Sequence, residues 1–324
     1  MPTGRDTLLT VAVPTFNGAL HLRATLESIR AQQCDADFEW VVCDDRSDDD
    51  SAATAAAFCL DRARVVVNSE RLGLAGNWNR CIELARTPLV AVVHQDDLLR
   101  SGHLAAHLRA YRNPSTCRLG LLASGAAMID DDDREIPRTI VDPGGLGPSD
   151  REFAPGEMVR WLAVGNPLRC SAVTIVKEAH ADVGGFDPAL RYVVDWDFWV
   201  RVAERWGVSW MTANTIAMRW HHRSETHRFK TGTLDLEESA QLFERISAKH
   251  AEEWPELPRI RRQVESTLAR ALLNRAYDAA DFDATLSRRC LVQALRMRPA
   301  LAAAVALDPR LALKLTKALL QRKA

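Results

Sequence analysis

Short apolar runs alternate with helical patterns through the first hundred residues. Runs rich in β-branched residues predict four strands, over Leu8–Val13, Phe38–Cys43, Arg64–Val67 and Leu89–Val93. The stretches between them predict three helices, over Leu20–Gln32, 51–60 and Ala75–Ala85. This alternation is typical of a largely parallel sheet that is covered by helices on both faces.

The pattern changes along the rest of the chain. It predicts strands over Leu119–Met128 and Ser171–Lys177, and a helix over Asp195–Trp206. Beyond about Thr233 the pattern is entirely helical, and the clearest helices are Leu234–Lys249, Ile260–Ala280 and Ala284–Met297. We therefore expect a Rossmann-like α/β domain over residues 1–230 and a C-terminal helical region over residues 231–324.

Each of the four strands predicted in the first hundred residues ends in a polar cluster. The clusters are Pro14–Asn17, Asp44–Ser47, Asn68–Arg71 and His94–Asp97. In parallel sheets, ligands bind beyond the carboxyl ends of the strands. Four successive clusters at these ends therefore indicate a ligand site along one edge of the sheet.

Asp96 and Asp97 are the most informative pair of side chains. Two adjacent carboxylates on a strand-end loop repel each other, so a compensating cation is expected. Mg²⁺ or Mn²⁺ is typically bound by one or two protein carboxylates together with substrate phosphates and water. The alternative is that Asp97 caps the helix that starts near Ser101.

The acidic run from Asp44 to Asp50 also follows a predicted strand. Asp and Ser residues cap a following helix and stabilise its N-terminus, which accounts for Asp48–Asp50. A carboxylate at the strand end itself, on Asp44 or Asp45, would remain available to accept hydrogen bonds from a nucleobase or from ribose hydroxyls.

Composition narrows the classes of partner. The 324 residues carry a formal net charge of -1, so no positive field favours a nucleic acid. The seven cysteines are scattered and form no C-x-x-C pair, which argues against a zinc site or a disulfide framework. Residues 1–7 lack a signal-peptide pattern, and no run of about 18 apolar residues predicts a membrane span. We expect a cytoplasmic protein.

Taken together, the motifs resemble those of family 2 inverting glycosyltransferases of the GT-A fold. Four of the matching segments follow predicted strands: Val13–Asn17, Asp44–Asp49, Asn68–Asn79 and His94–Asp97. Two more come later, at Gly184–Asp187 and Asp195–Arg201. Order and spacing both match, and the resemblance covers roughly residues 8–228.

The resemblance implies roles for the strand-end residues. The positions that it places around the nucleotide-sugar donor are Pro14, Thr15, Asn17, Asp44, Asp45, Arg71, Asn79 and Asp96. Either Asp44 or Asp45 would contact the base or ribose. Arg71 would contact the diphosphate, because a guanidinium matches phosphate geometry. Asn79 is interpreted equally well as a helix-surface amide.

The resemblance also implies a metal site. Asp96 and Asp97 match the family's D-x-D-type motif, with Asp97 as the direct ligand of Mn²⁺ or Mg²⁺ and Asp96 closer to the ribose. The family's usual leading Asp is His94 here, which we interpret as a structural histidine. His221 and His222 are further candidates to approach the metal or diphosphate, with a solvated loop as the alternative.

Asp195 falls where such enzymes place their catalytic base. Inverting transfer requires a carboxylate that takes the proton of the acceptor hydroxyl as its oxygen attacks the anomeric carbon. Asp197 is the second choice for this role. The alternative is that both residues are helix N-terminal carboxylates that are favoured by the helix dipole.

The resemblance predicts transfer of one sugar from a UDP-, GDP- or dTDP-sugar to a glycan or glycolipid acceptor. The pathway would be bacterial cell-surface polysaccharide, lipopolysaccharide or glycolipid synthesis. A nucleotidyltransferase and a non-catalytic nucleotide-sugar-binding module are the competing hypotheses. The amphipathic stretch Leu301–Leu320 predicts a helix packed on the protein, and peripheral contact with the inner face of the membrane is the alternative. The oligomeric state is left open.

Overall fold

The computed structural model describes residues 7–58, 63–115, 117–137, 146–221, 229–307, 309 and 312–315. The packing divides the chain into two units. One consists of residues 1–162 and 166–221, and the other of residues 163–165 and 222–324. Independent folding of residues 1–230 stays a prediction.

The first unit is a mixed sheet with helices. Its strands are β1 (Leu9–Thr15), β2 (Phe38–Asp44), β3 (Ala63–Val67), β4 (Leu89–Val92), β5 (Leu98–Leu99), β6 (Leu119–Ile129), β7 (Glu135–Ile136), β8 (Arg151–Phe153), β9 (Val173–Val176) and β10 (Gly207–Arg219). The helices up to residue 205 are α1 (Ala19–Arg30), α2 (Ser51–Ala57), α3 (Gly73–Leu84), α4 (His103–Arg112), α5 (Val159–Val164), α6 (Lys177–Val183) and α7 (Val194–Arg205).

The strand order brings six carboxyl ends to one edge of the sheet. The order is β3-β2-β1-β4-β9-β6-β10-β5, with β7 beside β6 and β8 beside β10. Strands β1 to β4 are mutually parallel, and β9 is antiparallel to both of its neighbours, β4 and β6. Because β6 and β10 are parallel to each other, they run in the same direction as β1 to β4.

The core explains the continuous apolar runs in the sequence. Every residue of β1 and β4 is buried, as expected for central strands that are covered on both faces. Helix α1 buries Leu22, Leu26 and Ile29 on one stripe, at spacings of four and three residues. Burial of each such side chain contributes about 1.5–3 kcal/mol to stability.

The strands and helices predicted in the first hundred residues are confirmed, with ends that differ by a few residues. The predicted strand Ser171–Lys177 is shorter than expected. A 3-10 turn occupies Cys170–Ala172, β9 covers Val173–Val176, and α6 begins at Lys177. The long strand β10 had no clear sequence pattern, because two exposed residues, Ala213 and Asn214, interrupt it and its pairing with β6 shifts register around Asn214.

The second unit is helical, as the sequence predicts. Its helices are α8 (Leu234–Lys249), α9 (Leu257–Ala279), α10 (Ala284–Met297) and α11 (Leu301–Leu307). The unit has its own apolar core, which includes Leu272, Ala276 and Cys290. A buried ion pair of 2.7 Å joins Arg275 to Asp235, and the Asp283 carboxylate caps α10.

The proposed membrane-contact stretch Leu301–Leu320 is only partly described. Its first residues form α11, and residues 308, 310, 311 and 316–320 lie outside the described residues. Across the part of the chain that the structure covers, no helix combines the length and the apolar character needed to cross a bilayer.

Candidate active site

The predicted polar clusters lie together at the carboxyl edge of the sheet. The parallel register pairs Thr15 of β1 with Asp44 of β2. The Asp45 N–H donates to Thr15 O at 2.8 Å, and the Asn68 N–H donates to Asp44 O at 2.9 Å. Farther along the same edge, Ile129 of β6 pairs with Arg219 of β10. The ends of the parallel strands therefore lie side by side along one edge of the sheet.

Asp97 is the more buried carboxylate of the loop after β4. Its Oδ1 accepts a hydrogen bond from the Arg219 backbone N–H at 2.9 Å, and its Oδ2 accepts one from the Ser171 hydroxyl at 2.5 Å. Burial, followed by the charge of Asp96, raises the pKa of Asp97 to about 6. Asp97 therefore ties this loop to the segment before β9 and to the end of β10.

Asp96 is the more accessible carboxylate of the pair. Its side chain is 21% exposed, whereas that of Asp97 is 3% exposed. His221 Nε2 donates a hydrogen bond of 2.9 Å to Asp96 Oδ2. Burial acts to raise the pKa of Asp96, but this hydrogen bond and the charges of His94 and His221 outweigh it and lower the pKa. The same hydrogen bond raises the pKa of His221.

Arg219 fixes the position of the Asp96–Asp97 loop. Its Nε donates to Asp96 O at 3.0 Å, its Nη1 to Asp130 O at 2.7 Å, and its Nη2 to Asp133 Oδ1 at 2.5 Å. The side chain is 1% exposed, so the guanidinium holds the loop after β4 against the turn after β6. His222, the other predicted histidine, lies outside the described residues.

His94 packs beside the two aspartates. Its ring stacks on Trp78 with centroids 5.1 Å apart, and its backbone N–H donates a hydrogen bond to the Ser171 hydroxyl at 3.0 Å. His94, Asp96 and Asp97 place potential metal-ligating atoms within 4.8 Å of one another. These contacts are compatible with the structural interpretation of His94 and also place an imidazole at the acidic pair.

Asn17 and Asp44 hold the loops after β1 and β2 together. The Asn17 N–H donates to the Ser47 hydroxyl at 2.9 Å, and Asn17 Oδ1 accepts from the Asp48 N–H at 2.8 Å. Asp44 in turn accepts hydrogen bonds from the Ser47 N–H at 2.8 Å and from its hydroxyl at 2.6 Å. Pro14 and Thr15 are buried at the end of β1.

Asp45 is used in capping α3. Its carboxylate accepts hydrogen bonds from the backbone N–H groups of Leu72 and Gly73, both at 2.8 Å, and from Asn68 Nδ2 at 2.9 Å. A carboxylate at a helix N-terminus satisfies unpaired N–H groups and is favoured by the helix dipole. These bonds leave Asp44 as the less heavily engaged carboxylate at this strand end.

Two further residues that were predicted to bind the nucleotide-sugar donor have clear packing partners. The exposed Arg71 guanidinium lies 3.6 Å from the centroid of the Phe16 ring. Asn79 Nδ2 donates to Phe186 O at 2.8 Å, and its Oδ1 accepts from the Phe186 N–H at 2.8 Å. Asn79 therefore holds the turn before α7, in which Gly184 and Gly185 adopt φ values of +90° and +73°.

Asp195 and Asp197 lie in the first turn of α7 but have different environments. Asp195 Oδ1 accepts from the Trp196 N–H at 2.7 Å, and its Oδ2 accepts from Asn166 Nδ2 at 3.2 Å. Asp197 is buried and its Oδ2 accepts from Arg201 Nε at 2.8 Å. The charge of Asp197 is therefore neutralised within the helix, whereas the hydrogen-bond donors of Asp195 are neutral.

The pKa of Asp195 is raised, with burial as the largest cause. The Trp196 N–H and the charges of His94 and Arg169 act in the opposite direction. His94 also lowers the pKa of Asp96 and acts to lower that of Asp97. One imidazole is therefore within electrostatic reach of the predicted base and of both metal-motif carboxylates.

Several residues at the edge escaped the sequence analysis. Gln95 Oε1 accepts from the Phe16 N–H at 2.8 Å, and its Nε2 donates to Phe16 O at 3.1 Å. Ser171, Asn166, His21 and Asp131 also contact predicted site residues or lie beside them. Gln95 stands within a predicted cluster and could have been found there. The others come from distant segments and carry no local signal.

The ligand chemistry of the Asp96–Asp97 loop fits a divalent cation. Carboxylate oxygens are the ligands that Mg²⁺ and Mn²⁺ prefer. Asp96 and Asp97 supply the oxygens, and His94 and His221 bring imidazoles next to them. Burial and the adjacent Asp96 charge, which raise the pKa of Asp97, show that this carboxylate carries its charge at a cost.

Sequence comparison places the chain in a known family. Residues 10–125 match the model of glycosyl transferase family 2. The chain is 31% identical over 230 residues to the uncharacterized protein MT1568 of Mycobacterium tuberculosis (strain CDC 1551 / Oshkosh), which covers 68% of this chain and 70% of that protein. It is 28% identical over 93 residues to the Escherichia coli UDP-Glc:alpha-D-GlcNAc-diphosphoundecaprenol beta-1,3-glucosyltransferase WfgD, covering 29% and 36% of the two chains.

Solved structures share the fold. S. aureus TarS 1-349 in complex with UDP-GlcNAc aligns with a TM-score of 0.60 and 16% identity, over 96% of this chain and 88% of that chain. Mannosyltransferase PcManGT from Pyrobaculum calidifontis, in complex with GDP-Man and Mn2+, aligns with a TM-score of 0.52 and 19% identity, over 98% and 85%. The fold is GT-A with C-terminal helices. The protein is a glycosyltransferase by class. The chain belongs to glycosyl transferase family 2.

Proposed function

We propose that this glycosyltransferase transfers one sugar, with inversion, from a nucleotide-diphosphate sugar to a hydroxyl of a glycan or glycolipid. TarS with UDP-GlcNAc and PcManGT with GDP-Man support such a donor. WfgD, by its name, acts on a diphosphoundecaprenol-linked sugar, which supports a cell-surface glycan or glycolipid acceptor. The donor would be a UDP-, GDP- or dTDP-sugar.

The environment of Asp195 is the observation that carries this proposal. Its carboxylate is held by two neutral donors, Trp196 N–H and Asn166, and burial raises its pKa. A raised pKa makes a carboxylate a stronger base. Asp195 would accept the proton of the acceptor hydroxyl, while Asp197 stays paired with Arg201.

We propose that the Asp96–Asp97 loop holds Mn²⁺ or Mg²⁺ on the diphosphate of the donor. When bound, the cation would stabilise the negative charge that develops on the departing diphosphate. The resemblance implies Asp97 as the direct ligand, but we propose Asp96 for this contact instead, because Asp97 is nearly fully buried and both of its oxygens already accept hydrogen bonds. His221, which is hydrogen-bonded to Asp96, is a further candidate, and so is His222, which lies outside the described residues.

We propose that the nucleoside lies along the ends of β1 and β2. Pro14, Thr15 and Asn17 would line it, and Asp44 would accept hydrogen bonds from the base or ribose. Asp45 would act indirectly, because its carboxylate already caps α3. Arg71 would leave the Phe16 ring to contact the diphosphate, and Asn79 would support the turn before the base.

Substitution of the two aspartates in α7 tests the proposal. Asp195→Asn preserves size but cannot accept a proton, so turnover should fall by about 10²–10⁴-fold. Its free energy of unfolding should change by about 1 kcal/mol or less, and donor binding should persist. The matched control is Asp197→Asn, which weakens the contact to Arg201 and should cost about 1–3 kcal/mol of stability while retaining far more activity.

Nucleotide-sugar panels first identify a donor by thermal shift with Mn²⁺, because a bound ligand raises apparent stability. Release of nucleoside diphosphate then measures turnover over an acceptor panel. A dead Asp197→Asn variant beside a fully active Asp195→Asn variant would move the base by two residues. Full activity in both variants would refute a catalytic role for this helix end.

A further inference from the structure

Three metal-ligating side chains meet near Asp96 but outside the pair proposed for the donor metal. His21 comes from the first turn of α1, Asp131 from the turn after β6, and His221 from the segment after β10. One ligating atom of each lies within 4.8 Å of those of the other two. Segments that are far apart in sequence therefore converge on a set of two imidazoles and one carboxylate.

The distances are close to those of a coordinated ion. His21 Nε2 lies 3.5 Å from Asp131 Oδ1, and the rings of His21 and His221 have centroids 5.3 Å apart. Ligands at 2.0–2.1 Å from a tetrahedral zinc ion stand about 3.4 Å from one another. The pair of His21 and Asp131 already has this spacing, and a ligating atom of His221 lies within 4.8 Å of both.

The nitrogen of His21 supplies a second, independent observation. His21 Nε2 is buried and has no hydrogen-bond partner among the described residues. Four other histidines share this feature among the described residues, so the nitrogen points to a ligand or ion because two further metal-ligating groups stand beside it. This nitrogen belongs to the cluster that contains Asp131 and His221.

The surroundings fit a bound cation. His221 is hydrogen-bonded to the Asp96 carboxylate at 2.9 Å, and such histidine–carboxylate pairs are the usual support of metal-bound histidines. The Asp131 side chain is 61% exposed, which leaves room for water in the remaining positions. The nearby Arg219 guanidinium is engaged by Asp133 and by the carbonyls of Asp96 and Asp130.

We propose that His21, Asp131 and His221 form a second divalent-cation site, separate from the Asp96–Asp97 site and selective for Zn²⁺ over Mg²⁺. Two imidazoles with one carboxylate suit Zn²⁺, whereas Mg²⁺ prefers oxygen ligands only. The two sites are linked by the hydrogen bond between His221 and Asp96. A cation in the second site would thus adjust the position of Asp96 and regulate the donor-metal site.

Isothermal titration of the EDTA-stripped full-length protein with Zn²⁺ tests the site directly. His21→Ala and Asp131→Asn each remove one ligand and should weaken one class of Zn²⁺ sites by at least about tenfold. The matched control is His250→Ala. His250 also pairs with a carboxylate, that of Glu253 at 2.9 Å, but it does not belong to the cluster of His21, Asp131 and His221. That variant should bind Zn²⁺ as the wild type does.

Binding of Mn²⁺ separates this site from the donor-metal site. The electron paramagnetic resonance signal of free Mn²⁺ measures Mn²⁺ binding to each variant in the presence of UDP or GDP. The Mn²⁺ affinity of His21→Ala should lie within about twofold of wild type. Equal losses of Zn²⁺ and Mn²⁺ binding would show one shared site and overturn the proposal. Unchanged Zn²⁺ binding in both variants would also overturn it.

Folding is checked by circular dichroism. Asp131 is on an exposed turn, so Asp131→Asn decides the question even if His21→Ala fails to fold. None of these measurements uses turnover. A negative result for the second site therefore does not contradict the proposed transfer reaction. A negative result for that reaction does not contradict the second site.

Discussion

At the scale of single residues, hydrogen-bond partners separate carboxylates that look alike in sequence. Asp97 is fixed by Ser171 and Arg219, whereas its neighbour Asp96 is more exposed and faces His221. Asp45 caps a helix, and Asp44 binds Ser47. Adjacent acidic residues therefore divide into those that hold loops and those that can reach a ligand.

We predict that transfer requires a divalent cation. EDTA should abolish activity, and Mn²⁺ or Mg²⁺ should restore it, because the leaving diphosphate needs charge stabilisation. Asp96→Asn should weaken metal-dependent donor binding by at least about tenfold without unfolding the protein. Titration of Mn²⁺ at fixed donor concentration measures this change.

A control for this prediction is Asp133→Asn, which changes the carboxylate bound to Arg219 Nη2 on an exposed turn. It should leave the Mn²⁺ requirement within about threefold of wild type. Full activity after exhaustive removal of metal would contradict the prediction, whatever the behaviour of the variants.

At the scale of elements, α4 is fixed to the sheet by two buried histidines. His103 Nδ1 hydrogen-bonds with the Thr215 hydroxyl of β10 at 2.7 Å, and His107 Nδ1 hydrogen-bonds with the Thr174 hydroxyl of β9 at 2.7 Å. Burial lowers the pKa of His103 to about 3 and also lowers that of His107. Both rings are therefore neutral in the folded protein near pH 7.

We predict that these histidines make folding stability fall in mild acid. In the unfolded chain His103 takes up a proton below about pH 6.5, but in the folded protein it stays neutral down to about pH 3. Between these values the unfolded state binds more protons, so stability decreases as the pH falls, by up to about 1.4 kcal/mol per pH unit. His103→Gln should reduce that slope by about this amount.

Urea unfolding at several pH values between 6.5 and 4.5 measures the slope. The control is Leu108→Ala on the same helix, which removes a fully buried apolar side chain. It should cost about 2–5 kcal/mol at every pH and leave the slope unchanged. An unchanged slope in His103→Gln would show that this ring does not cause the acid sensitivity.

At the scale of the whole molecule, each unit has its own core. The sheet unit buries β1 and β4 on both faces, and the helical unit buries a separate cluster around Leu272 and Cys290. The helical unit also carries its own ion pair between Arg275 and Asp235. Separate cores of this kind are what independently folding domains require.

We predict that a chain ending at Lys230 folds and binds the donor with an affinity within about threefold of full length. The residues proposed to bind the donor all precede this end. Cooperative thermal unfolding and donor-dependent thermal shifts provide the measurement. Loss of acceptor use with donor binding intact would assign the helices to the acceptor. Failure to fold would contradict the boundary.

The sequence by itself determined many of the elements and the edge of the sheet at which the polar clusters meet. Strand periodicity, helix periodicity and strand-end polar clusters are local properties, so β1 to β4, α8 to α10 and the Asp96–Asp97 motif could all be predicted. The family followed from the order of these motifs. Strand β10 could not be predicted, since polar residues and register shifts interrupt its pattern.

Only the tertiary structure decided how the acidic side chains are used. The bonds of Asp97 join residues that are 74 and 122 positions apart, and those of Asp195 include a partner 29 positions away. Burial and partner charge set the pKa of a carboxylate, and both depend on segments that meet only in the folded chain. The convergence of His21, Asp131 and His221 could not be predicted for the same reason, because no local sequence pattern indicates which loops will lie at one edge of the sheet.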